Sequence, residues 1–430
     1  MIKKYFQSEF TKQVATLLSG SVLAQTLPFI AEPFVTRLYT ASELGTITLF
    51  TSVAIMFSIV ATGRYEIAIM LPKTKSKSIN LLFLSLIITL IISAFSLFTI
   101  WLLNDWICHL KGSDELGQFL WYVPLSVLFV GTFNSFNQWA NRNAYHRWMS
   151  AAKVTQSGTN SGLSVLFGYM KMGNAGLILA FLFGQFLSVF PVLFPFLRKD
   201  KKYIRELNKA DMKSLAIEYK KFPTTNSLHA FTDMFFLSLL VFLISYYFGD
   251  DITGYFGRTY RILLAPSILI GGVIGQIFFR KLSIMKANNE NIQAFFKKIL
   301  ALLFLLGLPI FSIIAIFGPE IFELYLGKNF RIAGSYAAIL APWIWLKFIA
   351  SPLSVIPVVF NRLNASFLMG SITNILLVGA VYIGGSSNWS IINTFKLLTL
   401  LQLIFLTIYI LWTYTLVRND KGKPNISINS

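Results

Sequence analysis

Apolar runs of roughly 20 residues recur along this chain from one end to the other, and they constrain its fold more than any motif does. About 20 residues of helix span the hydrocarbon of a bilayer. A backbone in lipid must satisfy its own hydrogen bonds, so such runs are expected as helices. Short alternating segments, the mark of a membrane barrel, do not dominate. Twelve helices are expected, at about 14–36, 46–63, 79–103, 118–140, 151–170, 175–197, 224–248, 254–279, 299–317, 333–356, 365–384 and 391–416. The fifth is the most polar, through Lys153, Gln156, Asn160 and Ser161. Only 13% of the residues are charged, where a soluble domain carries about 25%. The expectation is an all-α integral membrane protein.

Charge tests the count. With the N-terminus inside, twelve spans put 28 of the 37 Lys and Arg on the cytoplasmic side and five on the other. Four more, Arg258, Arg261, Lys347 and Lys396, fall inside helices. Cytoplasmic loops are enriched in Lys and Arg, so the asymmetry supports both termini being cytoplasmic and explains most of the +19 net charge. Nucleic acid, the usual partner of so basic a soluble chain, is not expected. The N-terminal Lys3 and Lys4 before an apolar run mimic a signal sequence. That run continues through Pro28, Glu32 and Pro33 without a small-residue cleavage site, so it is kept as the first helix.

The longest charged run is 198–223, with nine Lys/Arg against four acids. It reads as a cytoplasmic bridge. The domain expectation follows: 1–197 an N-terminal six-helix bundle, 198–223 a basic linker, 224–417 a C-terminal six-helix bundle and 418–430 a cytoplasmic tail. Leu44-Gly45 opens the second helix and Thr253-Gly254 opens the eighth, 209 residues later, which hints at a parallel repeat.

Several chemistries lack their residues. The single Cys108 excludes an intramolecular disulfide and a Cys-based zinc site. His109, His146 and His229 are scattered, so no metal is expected. No phosphate loop of the G-x-x-x-x-G-K-[ST] type is present, so neither direct ATP drive nor any cofactor is expected. The short outer loops argue against an enzyme such as a membrane sugar polymerase or ligase.

Three segments carry a resemblance. The first runs from Ala24-Gln25 through Pro33-Phe-Val-Thr-Arg37-Leu-Tyr39 to Glu43-Leu-Gly45. The second is Ala61-Thr-Gly-Arg64-Tyr65-Glu66 through Leu71-Pro72. The third is Glu218-Tyr-Lys-Lys-Phe222-Pro223, then Gly254-Tyr255, Arg261 through Pro266 and Gly275-Gln276. Together they resemble the oligosaccharide-lipid flippases of the multidrug/oligosaccharidyl-lipid/polysaccharide exporter superfamily, which move O-antigen and capsule repeat units. The resemblance implies twelve transmembrane helices in two six-helix bundles around a central cavity. It implies alternating-access transfer of undecaprenyl-diphosphate-linked oligosaccharide across a bacterial inner membrane. Membrane lipids, a polysaccharide polymerase and a chain-length regulator are its implied partners. A cation-coupled multidrug or metabolite exporter of the same fold is the alternative.

Ionisable groups inside helices nominate a site, because each costs at least ~2.5 kcal/mol to insert. Arg258 and Arg261 lie one turn apart, and guanidinium groups bind phosphate oxygens bidentately. Arg258 either snorkels to the outer interface or joins Arg261 on the cargo. Lys347, amid Trp343, Trp345 and Phe348, is too deep to snorkel and is expected to face the lumen. Asp233 is its partner or a cation-coupling carboxylate. Glu32 sits between two prolines in a helix expected to bend. Arg64 and Glu66 form an interfacial anchor or an inner gate, mirrored at the outer end by Arg37. Asn134, Asn137, Gln138 and Asn141 give the fourth helix a polar face for sugar hydroxyls or another helix. The 41 Phe and nine Trp read as lipid-facing or packing groups, with no aromatic cage among them.

Overall fold

A computed structural model describes residues 9–111, 114–288 and 290–418. It is helical throughout, with no strand among the described residues. Twelve long helices follow in order: α1 Glu9–Leu38, α2 Ala41–Ser58, α3 Lys75–Lys111, α4 Val123–Arg142, α5 His146–Tyr169, α6 Gly173–Pro195, α7 Ser227–Phe248, α8 Asp250–Pro266, α9 Ile292–Leu326, α10 Arg331–Leu353, α11 Leu363–Ser386 and α12 Ile391–Arg418. Each matches one expected span. The expected tail at 418–430 lies, but for Arg418, outside the described residues. Nine helices among the described residues have the length and apolarity of a membrane span; α1, α5 and α8 do not meet that standard. Composition explains the last two. α5 carries Lys153 and several amides, and α8 carries Asp250, Asp251, Arg258 and Arg261.

The eighth expected span, 254–279, is not one continuous α-helix. α8 ends at Pro266, a π-helical turn covers Ser267–Gly271, and a further helix runs Gly272–Ala287. Proline removes a helical donor and clashes with the preceding turn, so a break beside Pro266 is where physics puts it. α1, by contrast, stays helical through Pro28 and Pro33. Thr36 Oγ1 donates to the Glu32 carbonyl at 3.1 Å, and Arg37 Nη1 donates to the Pro33 carbonyl at 2.6 Å.

The chain divides into two compact units, Met1–Gly254 and Tyr255–Ser430. In the first, α5 packs between α1 and α6, α4 packs on α3 and α6, and α7 packs on α2. In the second, α10 packs on α9 and α12, and α11 packs on α12.

Within the first unit, the start of α2 crosses the start of α8 at very close range. A Cβ on Gly45 would stand 2.0 Å from the Asp250 carbonyl oxygen, and one on Gly254 would stand 1.9 Å from that of Ala41. The two contacts are equivalent: Ala41 and Gly45 are each 209 residues before Asp250 and Gly254. The two glycines singled out in the sequence for a possible repeat are thus in close contact with each other's helix. Small residues let helix backbones approach in a membrane, where packing drives association. Thr40 and Glu43 close a reciprocal capping box at the start of α2, and Ser245 Oγ donates to Asp250 Oδ1 at the start of α8.

The basic segment between α6 and α7 is folded rather than an open loop. It forms a π-turn at Phe196–Asp200, a 3-10 helix at Lys201–Glu206 and an α-helix at Lys209–Glu218. All nine of its cations are exposed, whereas Asp200 is buried. Asp200 Oδ2 accepts from Trp139 Nε1 at 2.9 Å and from the Tyr145 hydroxyl at 3.1 Å, and Lys75 lies 3.8 Å from its other oxygen. The Tyr145 phenol is pushed up to about 12 by burial first and by the Asp200 carboxylate second. Asn80 bonds the backbone of Glu206 and Asn208, and the Tyr65 hydroxyl donates to the Ala216 carbonyl at 2.8 Å. One buried leucine, Leu215, seats the short helix.

Gly45→Val is expected to destabilise the fold by about 1–3 kcal/mol through overpacking at the crossing. Gly162→Ala, at a glycine with nothing within 4 Å of its Cβ position, is expected to leave stability intact. Thermal unfolding of the detergent-solubilised protein measures both.

Candidate functional site

Two clusters of charge have a built geometry, one in each unit. In the first unit α2 ends in a turn where Gly63 and Arg64 both adopt left-handed backbone, with φ of 57° and 59°. That conformation is free for glycine and costs an L-residue roughly 1–2 kcal/mol. It starts the short helix Tyr65–Ala68, and the chain then runs to Pro72 and on to α3. Arg142, at the end of α4, clasps this connection by its carbonyls. Its Nη1 donates to Ile69 and Met70 at 3.2 and 3.0 Å, and its Nη2 to Pro72 at 2.5 Å.

Inside the turn Glu66 is buried. Its carboxylate accepts from Thr62 Oγ1, and Arg64 stands 3.9 Å away. Burial raises its pKa above the ordinary carboxylate value, and the Thr62 hydrogen bond and the Arg64 charge pull the other way. Arg64 is partly exposed, so its charge is screened by solvent and offsets burial weakly. Arg64 and Glu66 are thus brought together as the sequence suggested. Glu32 is buried on α1, while Arg37 is exposed at its end. Asp233 is exposed on α7, near the middle of the apolar span 222–248.

In the second unit α8 and α10 bring together Tyr260, Trp343 and Lys347. Lys347 is half-buried and its Nζ donates to the Tyr260 hydroxyl at 2.7 Å. The ammonium also lies 5.2 Å from the Tyr260 ring centre and 5.6 Å from that of Trp343. The rings stack on each other at 5.8 Å, and Tyr260 stacks on Phe256 at 5.6 Å. A desolvated cation–π contact contributes about 2 kcal/mol, and a hydrogen bond to a charged group about 1.5–3 kcal/mol. Together they are large enough to offset the ~2.5–3.5 kcal/mol that a lysine costs at the centre of a membrane helix. Trp343, one of the tryptophans read as packing groups, therefore flanks a charge together with Tyr260. Arg258 and Arg261 sit either side of Tyr260 in sequence but differ in environment: Arg258 is 8% exposed, and Arg261 is exposed. Lys396, at the start of α12, is exposed.

Comparison with known proteins places this architecture. A family profile described as "Polysaccharide biosynthesis protein" matches residues 34–333, more than half of the chain. The chain belongs to the polysaccharide biosynthesis protein family. No curated protein sequence is a significant match. Solved structures agree on the fold. An inward-facing multidrug resistance MATE family transporter of the MOP superfamily superposes with a TM-score of 0.76 at 15% identity, over 96% of this chain and 99% of that one. The lipid II flippase MurJ, in an inward closed conformation, gives 0.70 at 14% identity, over 94% and 90%. A MOP superfamily transporter from Pyrococcus furiosus, whose description assigns it a binding pocket of reverse polarity, gives 0.60 at 15% identity, over 96% and 97%. Its apolar helices make the chain a multi-pass membrane protein, with a fold like that of these solved structures.

For this polysaccharide biosynthesis protein, sequence reasoning found Lys347 and the Arg64–Glu66 pair but missed Tyr260, Arg142 and Asp200. Tyr260 had a signal, since it stands between Arg258 and Arg261. Arg142 was assigned only to the cytoplasmic charge count, and nothing local marks it as a clasp.

Glu66 gives this family member a stability that depends on pH. Its folded pKa is raised, so its contribution is fully present below the ordinary value of 4.5 and is lost as the pH climbs through the folded pKa. Glu66→Gln imitates the protonated acid. It is expected to melt with the unmodified protein near about pH 4 and above it near about pH 8. Melting curves across that range check the sign.

Proposed function

We propose that this protein is a flippase for undecaprenyl-diphosphate-linked oligosaccharide repeat units. It would carry them by alternating access from the inner to the outer leaflet of a bacterial inner membrane, for O-antigen or another surface polysaccharide. Both termini would be cytoplasmic, and the exposed cations of 198–221 would lie at the cytoplasmic surface. The protein would act as a carrier rather than an enzyme. Membership of the polysaccharide biosynthesis family supports the pathway. The observation that carries the cargo reading is Lys347, a cation kept half-buried in a membrane helix by Tyr260 and Trp343.

In this reading Arg258, Arg261 and Lys347 bind the diphosphate. Arg261 is the exposed guanidinium and engages phosphate oxygens bidentately. Lys347 supplies a point charge whose direction Tyr260 fixes. Arg64 and Arg37 guide the anionic headgroup at the two ends of the first unit. Glu32, Glu66 and Asp233 are the carboxylates available to a coupling cation or to structural pairs. A polymerase and a chain-length regulator are the expected downstream partners, and membrane lipids surround the chain.

The MATE likeness of the fold raises a second reading, a cation-coupled multidrug or metabolite exporter. Cationic drugs call for acidic walls. The expected spans hold four cations inside them, Arg258, Arg261, Lys347 and Lys396, against two acids, Glu32 and Asp233. That balance favours an anionic cargo.

Lys347→Ala and Arg261→Ala are each expected to lower translocation of the lipid-linked sugar about tenfold or more at normal membrane abundance, the equivalent of about 1.4 kcal/mol. Tyr260→Phe, which keeps the ring and removes the hydroxyl, is expected to fall between them and the unmodified protein. Surface polysaccharide and accumulated lipid-linked intermediate are measured in a strain deleted for the gene. Full polysaccharide in both alanine variants, or export of a cationic dye that they abolish, would overturn the assignment.

A further inference from the structure

α4 carries a second recognition surface. Asn134, Asn137, Gln138 and Asn141 follow one another at i, i+3, i+4 and i+7, so they form one stripe. At 100° per residue the stripe lies opposite Ser135, Phe136, Trp139 and Ala140, all buried. Val127 and Gly131, also buried, stand seven residues before Asn134 and Gln138 and continue the stripe's own face toward the other end of α4. Ser135 is bonded by Ser85 of α3 at 2.8 Å, and Phe136 and Trp139 meet the Phe196 ring edge-on.

The four amides are each half-buried. From 126 to 143 no residue of this helix is exposed, whereas the lipid-facing class of residue is represented nearer its other end by Leu125 at 43%. At the amides the stripe's face is thus partly accessible but enclosed, and is not an open acyl surface. Asn141 Nδ2 donates to Gln138 Oε1 at 3.3 Å, while Asn137 Oδ1 is buried and accepts no hydrogen bond. A 20-residue helix is about 30 Å long, and Asn134 is eight residues, about 12 Å, from its Arg142 end. The stripe therefore occupies the half of the span nearest the basic segment.

Four uncharged amides at that depth, with one acceptor, Asn137 Oδ1, unsatisfied, match hydroxyl-bearing neutral cargo better than phosphate. We infer that the α4 stripe reads the sugar hydroxyls of the lipid-linked oligosaccharide as the headgroup enters from the side of the basic segment. This rests on the flippase reading and assigns the sugar part of the cargo to α4 of the first unit. An amide offers both a donor and an acceptor to each hydroxyl, so the stripe discriminates sugars by which hydroxyls align with it.

The single native cysteine makes the test direct. In a Cys108→Ser background, one cysteine is placed at 134, 137, 138 or 141, with Phe136→Cys as the packed control. Membrane vesicles that expose the basic face are treated with a membrane-impermeant thiol reagent. The four stripe positions are expected to label and position 136 to stay silent. Undecaprenyl diphosphate bearing the host repeat unit is expected to slow stripe labelling about tenfold when present at ten times its Kd. Undecaprenyl diphosphate without sugar is expected to leave the rate unchanged. Silent stripe cysteines overturn the inference, and so does a stripe that cross-links between two copies of the chain. Equal protection by the bare carrier, or no protection by the sugar-bearing one, overturns it too. The whole-cell assay of Lys347→Ala stands apart from this test. Lost translocation there with silent stripe cysteines sinks the sugar contact alone, whereas normal polysaccharide there and in Arg261→Ala sinks the flippase reading even if the stripe labels.

Discussion

A polar group in hydrocarbon has no water to fall back on, and leaving it without a partner costs several kcal/mol. That constraint makes the long segments helices, since only an internal hydrogen-bond ladder satisfies the backbone. It also makes the polar side chains informative. Serines and threonines along the helices repeatedly bond carbonyls one turn back, as Thr48 does to Leu44 and Thr89 to Ser85. A lysine in α10 persists because a phenol and an indole receive it. The same rule at the basic end closes Asp200 over Trp139 and Tyr145 and so fixes a segment that would otherwise be a solvated loop.

Packing is the second layer. Helix association in a membrane gains little from hydrophobicity, because lipid is as apolar as leucine. Close backbone contact must supply it. Gly45 and Gly254 provide that contact in the first unit, and Gly318 and Gly334 provide it between α9 and α10 in the second, where a Cβ on Gly334 would stand 2.3 Å from the Gly318 carbonyl oxygen.

Much of the fold was legible because its signals are local. Apolar length marks helices one at a time, and the Lys/Arg asymmetry checks the count. The break after Pro266 was written in the sequence but outweighed by the apolar run around it. The fold of the basic segment was not legible because its anchor, Asp200, is one of four acids among nine cations, and its burial depends on Trp139 and Tyr145, some 60 residues away. The site was legible only in part. A lysine inside an apolar run announces itself, whereas Tyr260 and Trp343 are indistinguishable from packing aromatics until α8 and α10 are side by side. Arg258 and Arg261 share a helical turn in sequence, yet tertiary packing buries one and exposes the other.

The central claim is that the cations of the second unit exist for an anionic lipid-linked cargo. Its most direct test is the purified protein in liposomes loaded with undecaprenyl-diphosphate-linked oligosaccharide. Appearance of the sugar at the opposite leaflet is followed by its accessibility to a sugar-cleaving enzyme outside. The account predicts protein-dependent transfer, competed by bare undecaprenyl diphosphate and abolished when Lys347 and Arg261 are both neutralised. Transfer no faster than in protein-free liposomes, with a cationic dye moved in its place, would contradict it.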